Sequence, residues 1–183
     1  MGAGINILGI AGSLRQGSYN KALLRAAAEL LPPGASLEIF DLQGVTPFNP
    51  DVETSPPAGV IEFKSKIRAA GAILFATPEY NYSVPGVLKN AIDWASRPSG
   101  DSAWTGKAAA IMSASTGMLG GARAQYHLRQ VFITLNMRCV VQPELIVTFA
   151  AQKFDETGRL IDEAARKIMR LLLQELIALA GKG

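Results

Sequence analysis

The sequence predicts an α/β fold, a five-stranded parallel sheet in the order 2-1-3-4-5 with helices on both faces. Three observations predict it. Short apolar runs alternate with helical patterns five times along the chain. The runs are apolar at successive positions, as strands buried between two helical layers must be. The chemically unusual loops follow strands one, three and four, which this order makes neighbours, and ligands of such folds bind at the carboxyl ends of the strands.

The elements follow in order. Ile5–Ala11 reads as strand one and Asn20–Leu31 as helix one, stopped by Pro32-Pro33-Gly34. Ser36–Asp41 is strand two. Leu42–Gly59, with prolines at 47, 50, 56 and 57, crosses the sheet edge without regular structure. Val60–Ala70 reads as helix two with a weak core face, because Ile61, Lys64, Ile67 and Arg68 point to different sides. Ala72–Ala76 is strand three. Ser83 is placed as the cap of helix three, with Pro85 in its first turn and an end near Ser96. Lys107–Ser113 is strand four, and helix four runs to about Asn136. Arg138–Gln142 is strand five, either ending there or resuming at Leu145–Thr148. Leu160–Ala180 is the last helix.

A chain of 183 residues suits one domain, here 1–183, with a full hydrophobic core. The net charge is only +3 and no long basic run occurs, so nucleic acid is not an expected partner. One cysteine, Cys139, and one histidine exclude an internal disulfide and argue against a zinc centre. Cys139 sits in an apolar strand pattern and reads as a buried thiol. No apolar run approaches the length of a membrane span. No basic segment precedes the first apolar stretch, and Asn6 stands where a myristoylation signal after Met1-Gly2 needs Ser or Thr. A cytoplasmic protein is expected.

The stretch Gly9–Asn20 joins a buried strand to a helix N-terminus, where free N–H groups and the helix dipole favour an anion. Ser13, Ser18 and Asn20 add hydrogen-bond donors and Arg15 adds charge. The glycines at 9, 12 and 17 fail the dinucleotide spacing G-x-G-x-x-G. Gly12 and Gly17 match the P-loop spacing, but Ser18-Tyr19 replaces its Lys-Ser/Thr pair. A metal-free monophosphate cradle remains, against an ordinary serine-capped turn. The loop Thr77-Pro78-Glu79-Tyr80-Asn81-Tyr82 offers aromatic walls and amides to a flat heteroaromatic ring, or is a proline-stiffened turn. The loop Ser113–Gly121 permits close backbone approach through its glycines, or is a flexible connection.

Three blocks carry a resemblance: Gly12–Asn20, Thr77–Trp94 and Gly120–Gln130. Together they resemble the NADPH-dependent FMN reductase family, a branch of the flavodoxin-like three-layer sandwiches, and most nearly its bacterial chromate and quinone reductases. The likeness covers roughly residues 5 to 148. It implies that Ser13, Arg15, Ser18, Tyr19 and Asn20 surround the FMN phosphate. It implies that Pro78, Glu79, Tyr80, Asn81 and Tyr82 line one side of the flavin ring, and Ser115, Thr116, Gly117 and Gly120 the other. Catalysis then needs no protein nucleophile, since the flavin carries the chemistry. NADPH or NADH is the implied hydride donor, and quinones, chromate or azo compounds the implied acceptors. Backbone donors at residues 115–117 are candidates for the flavin N1/O2 edge.

His127 lies on helix four beyond the loop and reads as a structural histidine. Arg123, Tyr126, Gln130 and Ile133 form a second stripe on that helix, and Val87, Asn90 and Trp94 one on helix three. These second faces, Val87, Asn90 and Trp94 among them, are candidates for subunit contact, against solvent-facing amphipathic side chains. The resemblance implies dimers, often paired into tetramers, and Arg123, Tyr126 and Glu144 are candidates for a polar contact between dimers. The alternatives are a flavodoxin-like electron carrier that does not oxidise NAD(P)H, an FMN-free module on the same fold, and a reductase that releases flavin as product.

Overall fold

The computed structural model describes residues 4–182; Met1 and Gly2 lie outside them. The strands are β1 (Ile5–Ala11), β2 (Ala35–Phe40), β3 (Ala72–Ala76), β4 (Ala108–Ala114), β5 (Arg138–Cys139) and β6 (Leu145–Val147). The helices are α1 (Tyr19–Leu30), α2 (Ala58–Ala69), α3 (Gly86–Ala95), α4 (Ala122–Thr134) and α5 (Glu163–Ala180). All strand pairs are parallel, in the order β2-β1-β3-β4-β5, and β6 also pairs with β4. The fifth strand is thus two short segments in one position. Between them the chain leaves the ladder through Gln142-Pro143, and proline has no N–H to give to a ladder.

Period-two alternation explains why the central strands are apolar at every position. Ile7, Leu74 and Ala110 face one layer, where Leu23 and Leu24 of α1 meet Leu172, Leu173 and Leu176 of α5. Leu8, Ile73, Phe75 and Ile111 face the other, against Phe63 of α2, Leu88 and Trp94 of α3, and Phe132 of α4. The pairs Ala11↔Ala76, Ala76↔Met112 and Ala114↔Val147 align the carboxyl ends of β1, β3, β4 and β6. The loops after β1, β3 and β4 therefore leave the sheet side by side.

Several boundaries differ from the sequence expectation, each for a local reason. The second helix has a strong core face: Val60, Phe63 and Ile67 are fully buried. Lys64 is buried beside them because its ammonium leaves the core to donate to Arg97 O and, at 2.9 Å, to Asp101. Ser83 does not cap α3; Pro85 holds that position, and the Ser83 hydroxyl pairs with His127. The last helix begins at Glu163. Leu160 forms an isolated bridge to Phe154, and the Asp162 carboxylate caps the helix by accepting the Ala165 N–H at 2.8 Å.

The irregular stretch 42–59 is tied down by α3. Trp94 Nε1 and Asn90 Nδ2 both donate to Thr46 O, at 2.8 and 2.9 Å, and Asn90 Oδ1 accepts the Phe48 N–H at 2.7 Å. Trp94 is 1% exposed and its ring takes the Phe48 ring edge-on at 5.0 Å. Trp94 is therefore corrected from a subunit-contact candidate to an intramolecular anchor, and the half-buried Asn90 anchors the same stretch.

Candidate active site

The turn after β1 begins at Gly12, whose N–H donates to Ala76 O at 2.8 Å. A Cβ there would lie 3.1–3.3 Å from Leu88, Thr77 and Pro78, so glycine lets the first and second loops touch. Beyond it the chain runs without secondary structure to Ser18, the N-cap of α1. Ser18 Oγ accepts the N–H groups of Asn20 and Lys21 at 3.2 and 3.4 Å. Among the described residues, no protein acceptor takes the backbone N–H groups of residues 13 to 19. The first turn of α1 holds no acidic residue. This is a concentration of positive partial charge at a helix start.

Ser13 and Ser18 are buried but line the groove that opens here. Arg15 is exposed and folds over its own loop, Nη2 donating to Gly17 O at 2.7 Å. Asn20 differs from expectation. Its Nδ2 donates to Ala114 O at 2.9 Å and its Oδ1 accepts the Ala114 N–H at 3.0 Å. The amide braces β4 against α1, and its oxygen is not a free group for a ligand.

The loop after β3 closes as a tight hairpin. Tyr80 and Ser83 exchange both backbone hydrogen bonds at 3.1 Å, with Asn81 and Tyr82 between them at φ 47° and 73°. Positive φ at both central residues is the turn that suits strand twist, but it strains non-glycine residues, by about 1–3 kcal/mol each. Glu79 lies just before the turn. Its carboxylate accepts the Arg123 backbone N–H at 3.1 Å and pairs with the Arg123 guanidinium at 3.0 Å. That guanidinium also covers the Tyr82 ring, 3.7 Å from its centre.

The third loop is braced from behind by the chain after β6. Ser115 N–H donates to Val147 O, Ala150 N–H to Ser115 O, and Phe149 N–H to Gly117 O. Gly117 N–H turns back to Ser115 Oγ at 3.2 Å. Of the three candidate backbone donors at 115–117, only the Thr116 N–H has no protein acceptor among the described residues. Gly120, at φ 58°, is buried, and a Cβ on it would meet Ile146 at 2.6 Å. It shapes the loop from beneath, which corrects its placement as a lining residue.

A groove of about 170 Å³ joins the three loops. Ser13, Arg15, Ser18, Tyr19, Asn20, Pro78, Glu79, Tyr80, Ser115 and Thr116 line it, with Ala114. Asn81, Tyr82, Gly117 and Gly120 do not. Tyr82 lies outside because Arg123 holds its ring, and Asn81 is the apex of the hairpin. A larger cavity, about 530 Å³, lies behind Tyr19, between residues 16–19 and 151–158. It contains nothing from the loops after β3 and β4, so the convergent chemistry belongs to the smaller groove.

The family model described as NADPH-dependent FMN reductase matches residues 5–152. The chain belongs to the NADPH-dependent FMN reductase family. It is 53% identical to an NAD(P)H-dependent FMN reductase of Pseudomonas aeruginosa over 94% of this chain and 93% of that one. It is 46% identical to an NAD(P)H:quinone oxidoreductase of Solanum tuberosum, over 97% and 94%. The structure superposes on FerB, a flavoenzyme NAD(P)H:(acceptor) oxidoreductase of Paracoccus denitrificans, with a TM-score of 0.89 at 30% identity, covering 97% and 98% of the two chains. The fold is accordingly the flavodoxin-like one that the sequence predicts, and the family is the one that the three motif blocks resemble.

FMN, the cofactor that this membership implies, fits the groove. A phosphate needs several donors and no carboxylate, and the unpaired N–H run, two hydroxyls and Arg15 supply them. Glu79 is the one carboxylate in the lining, and its charge is neutralised by Arg123. A flat ring needs an aromatic or apolar wall with edge donors, which Pro78, Tyr80 and Thr116 supply.

Sequence reasoning missed two supports. The Glu79–Arg123 pair spans 44 residues, and the 147–150 brace depends on Phe149 at φ 48°. No periodicity in the sequence signals either one. His127 lies outside the groove lining, its Nδ1 2.9 Å from Ser83 Oγ. Cys139 is half-buried, and burial pushes its thiol above the ordinary value, against a smaller opposing effect of Arg129.

Proposed function

We propose that the groove holds FMN and that the protein reduces quinones at the expense of NADPH or NADH. The observation that carries this reading is the set of backbone N–H groups at Ser13, Arg15, Ser18 and Tyr19, unpartnered among the described residues, on residues that line the same groove as Tyr80 and Thr116. When bound, FMN supplies the redox chemistry, accepting a hydride from the nicotinamide and returning reducing equivalents to the acceptor.

The chain's own residues bind and orient. Ser13, Arg15, Ser18 and Tyr19 with their backbone N–H groups are assigned the phosphate. Charge-assisted hydrogen bonds contribute about 1.5–3 kcal/mol each and the helix dipole about 0.3–1 kcal/mol, so Arg15 and the direct donors outweigh the dipole. Pro78 and Tyr80 are assigned one wall of the ring site and the Thr116 N–H its polar edge. Asn20 and the 147–150 segment hold these groups in place. No protein nucleophile enters, since a quinone becomes a hydroquinone on gaining a hydride and a proton, and solvent supplies the proton at so open a groove.

Quinones are the preferred acceptor class because several of the similar proteins are named for them, among them the Solanum tuberosum oxidoreductase and a 2-hydroxy-1,4-benzoquinone reductase from Burkholderia, 40% identical. Chromate and azo compounds extend the same reading. Among the described residues no helix is long and apolar enough to cross a membrane.

We also assign homodimer or homotetramer contacts to the α4 stripe. Tyr126, Gln130 and Ile133 are exposed there, Ile133 at 80%. Val87 and Glu144 remain half-buried candidates beside it, Glu144 already 3.6 Å from Arg129. Light scattering on the purified protein tests this, and a monomer overturns it. The activity is tested by following NADPH oxidation on adding a benzoquinone. Turnover is expected with FMN-loaded protein, and its absence with both nicotinamides overturns the reading.

A further inference from the structure

The hairpin after β3 is gripped from one side by α4. Arg123 and His127 lie one helical turn apart on α4 and so share a face. Arg123 holds the first half, pairing with Glu79 at 3.0 Å and covering the Tyr82 ring at 3.7 Å. His127 holds the far end, with Nδ1 2.9 Å from Ser83 Oγ. Between the two grips Asn81 and Tyr82 both stand at positive φ, which non-glycine residues keep only when their surroundings fix it. The hairpin's own closure is just the pair of bonds between Tyr80 and Ser83.

We propose that Arg123 and His127 are positioning residues that together fix the Pro78–Tyr80 wall of the flavin ring site, and through it the surface on which the nicotinamide and the quinone dock. This rests on the FMN reading of the groove. Both act through the hairpin, and neither lines the groove. The anion cradle is built on a different loop and on α1, so loosening the hairpin leaves it standing. A displaced wall weakens docking of a flat ring more than it weakens retention of a phosphate, so the KM for quinone rises more than kcat falls. Lysine at position 123 keeps a charge for Glu79 but has no planar face for Tyr82, and so restores only part of the grip.

The experiment compares Arg123→Met, Arg123→Lys, His127→Phe and His127→Gln as FMN-loaded proteins. Arg123→Met and His127→Phe are expected to raise the KM for a benzoquinone by about tenfold with FMN content unchanged. In the same two variants the Tyr80 and Ser83 amides are expected to exchange with solvent about tenfold faster, while β3 and β4 keep their protection. Arg123→Lys should fall between, and His127→Gln, which keeps a partner for Ser83, should stay near the parent. Unchanged exchange at Tyr80 and Ser83 overturns the proposal. So does protection lost equally across β3 and β4, which would give these residues a general folding role. Parent protein that binds no FMN overturns the functional reading, and exchange at Tyr80 and Ser83 then decides the grip of α4 by itself.

Discussion

The side-chain amide of Asn20 satisfies both backbone groups of Ala114, donating to its carbonyl at 2.9 Å and accepting its N–H at 3.0 Å. This single contact ties the start of α1 to the end of β4. It therefore fixes the distance between the anion-binding turn and the third loop. Asn20→Ala leaves the N–H and carbonyl of Ala114 without partners in a buried site, at a cost of about 2–4 kcal/mol. Urea unfolding is expected to show that loss. Asn20→Asp keeps the acceptor, loses the donor and places a negative charge beneath the phosphate site, so it should weaken FMN binding more than Asn20→Ala does. The reverse order, from flavin fluorescence titration, would remove Asn20 from the cradle's frame.

Arg15 is the cation of the groove's anion cradle, and its only bond among the described residues is to the carbonyl of Gly17. Removing it takes away a charge-assisted bond of about 1.5–3 kcal/mol, or roughly ten- to a hundredfold in Kd. Arg15→Ala is expected to weaken FMN retention more than Tyr80→Ala or Tyr82→Ala. Unchanged affinity in Arg15→Ala would sink the phosphate assignment.

Asp162 couples a helix cap to an ion pair. Its bond to Lys153 first, and then the Ala165 N–H, hold its carboxyl below the usual carboxylate value. A carboxyl lowered in the folded state stabilises folding above its unfolded pKa, and that contribution is lost as pH falls through the folded value. It is thus complete at neutral pH and fades below about pH 4. Asp162→Ala should cost about 0.5–2 kcal/mol at neutral pH through loss of the cap. Asp162→Asn keeps a capping oxygen, so its smaller loss should vanish in acid. Denaturation midpoints of Asp162→Asn that fall equally at neutral and acid pH would contradict this origin.

Cys139 should be slow to react. Burial raises its thiol, so little thiolate exists at neutral pH. Alkylation of the native protein is expected to run roughly tenfold or more below that of a free thiol. Cys139→Ser should leave quinone reduction as it was. Rapid labelling of the folded protein would contradict the burial.

The fold was legible because its central strands are buried on both faces, and runs such as Ile5–Ala11 and Ala72–Ala76 carry that signal without any periodicity. The cradle was legible because Gly12, Ser13 and Ser18 stand at one strand-to-helix junction. What was not legible depends on partners distant in sequence. Trp94 and Asn90 lie off the main apolar stripe of α3, yet their partners Thr46 and Phe48 are 48 and 42 residues away. Asn20 reads as a ligand donor until Ala114, 94 residues on, is seen to occupy it. Tyr82 reads as a wall of the ring site, but the positive-φ hairpin turns it to Arg123 instead. In a tight turn no side-chain period exists from which that direction could be read.

The most direct measurement is the visible spectrum of the FMN-loaded protein during an anaerobic titration with NADPH, followed by a benzoquinone. NADPH is expected to bleach the flavin absorption and the quinone to restore it. A flavin that stays oxidised with both NADPH and NADH would contradict the reductase reading and leave a one-partner electron carrier in its place.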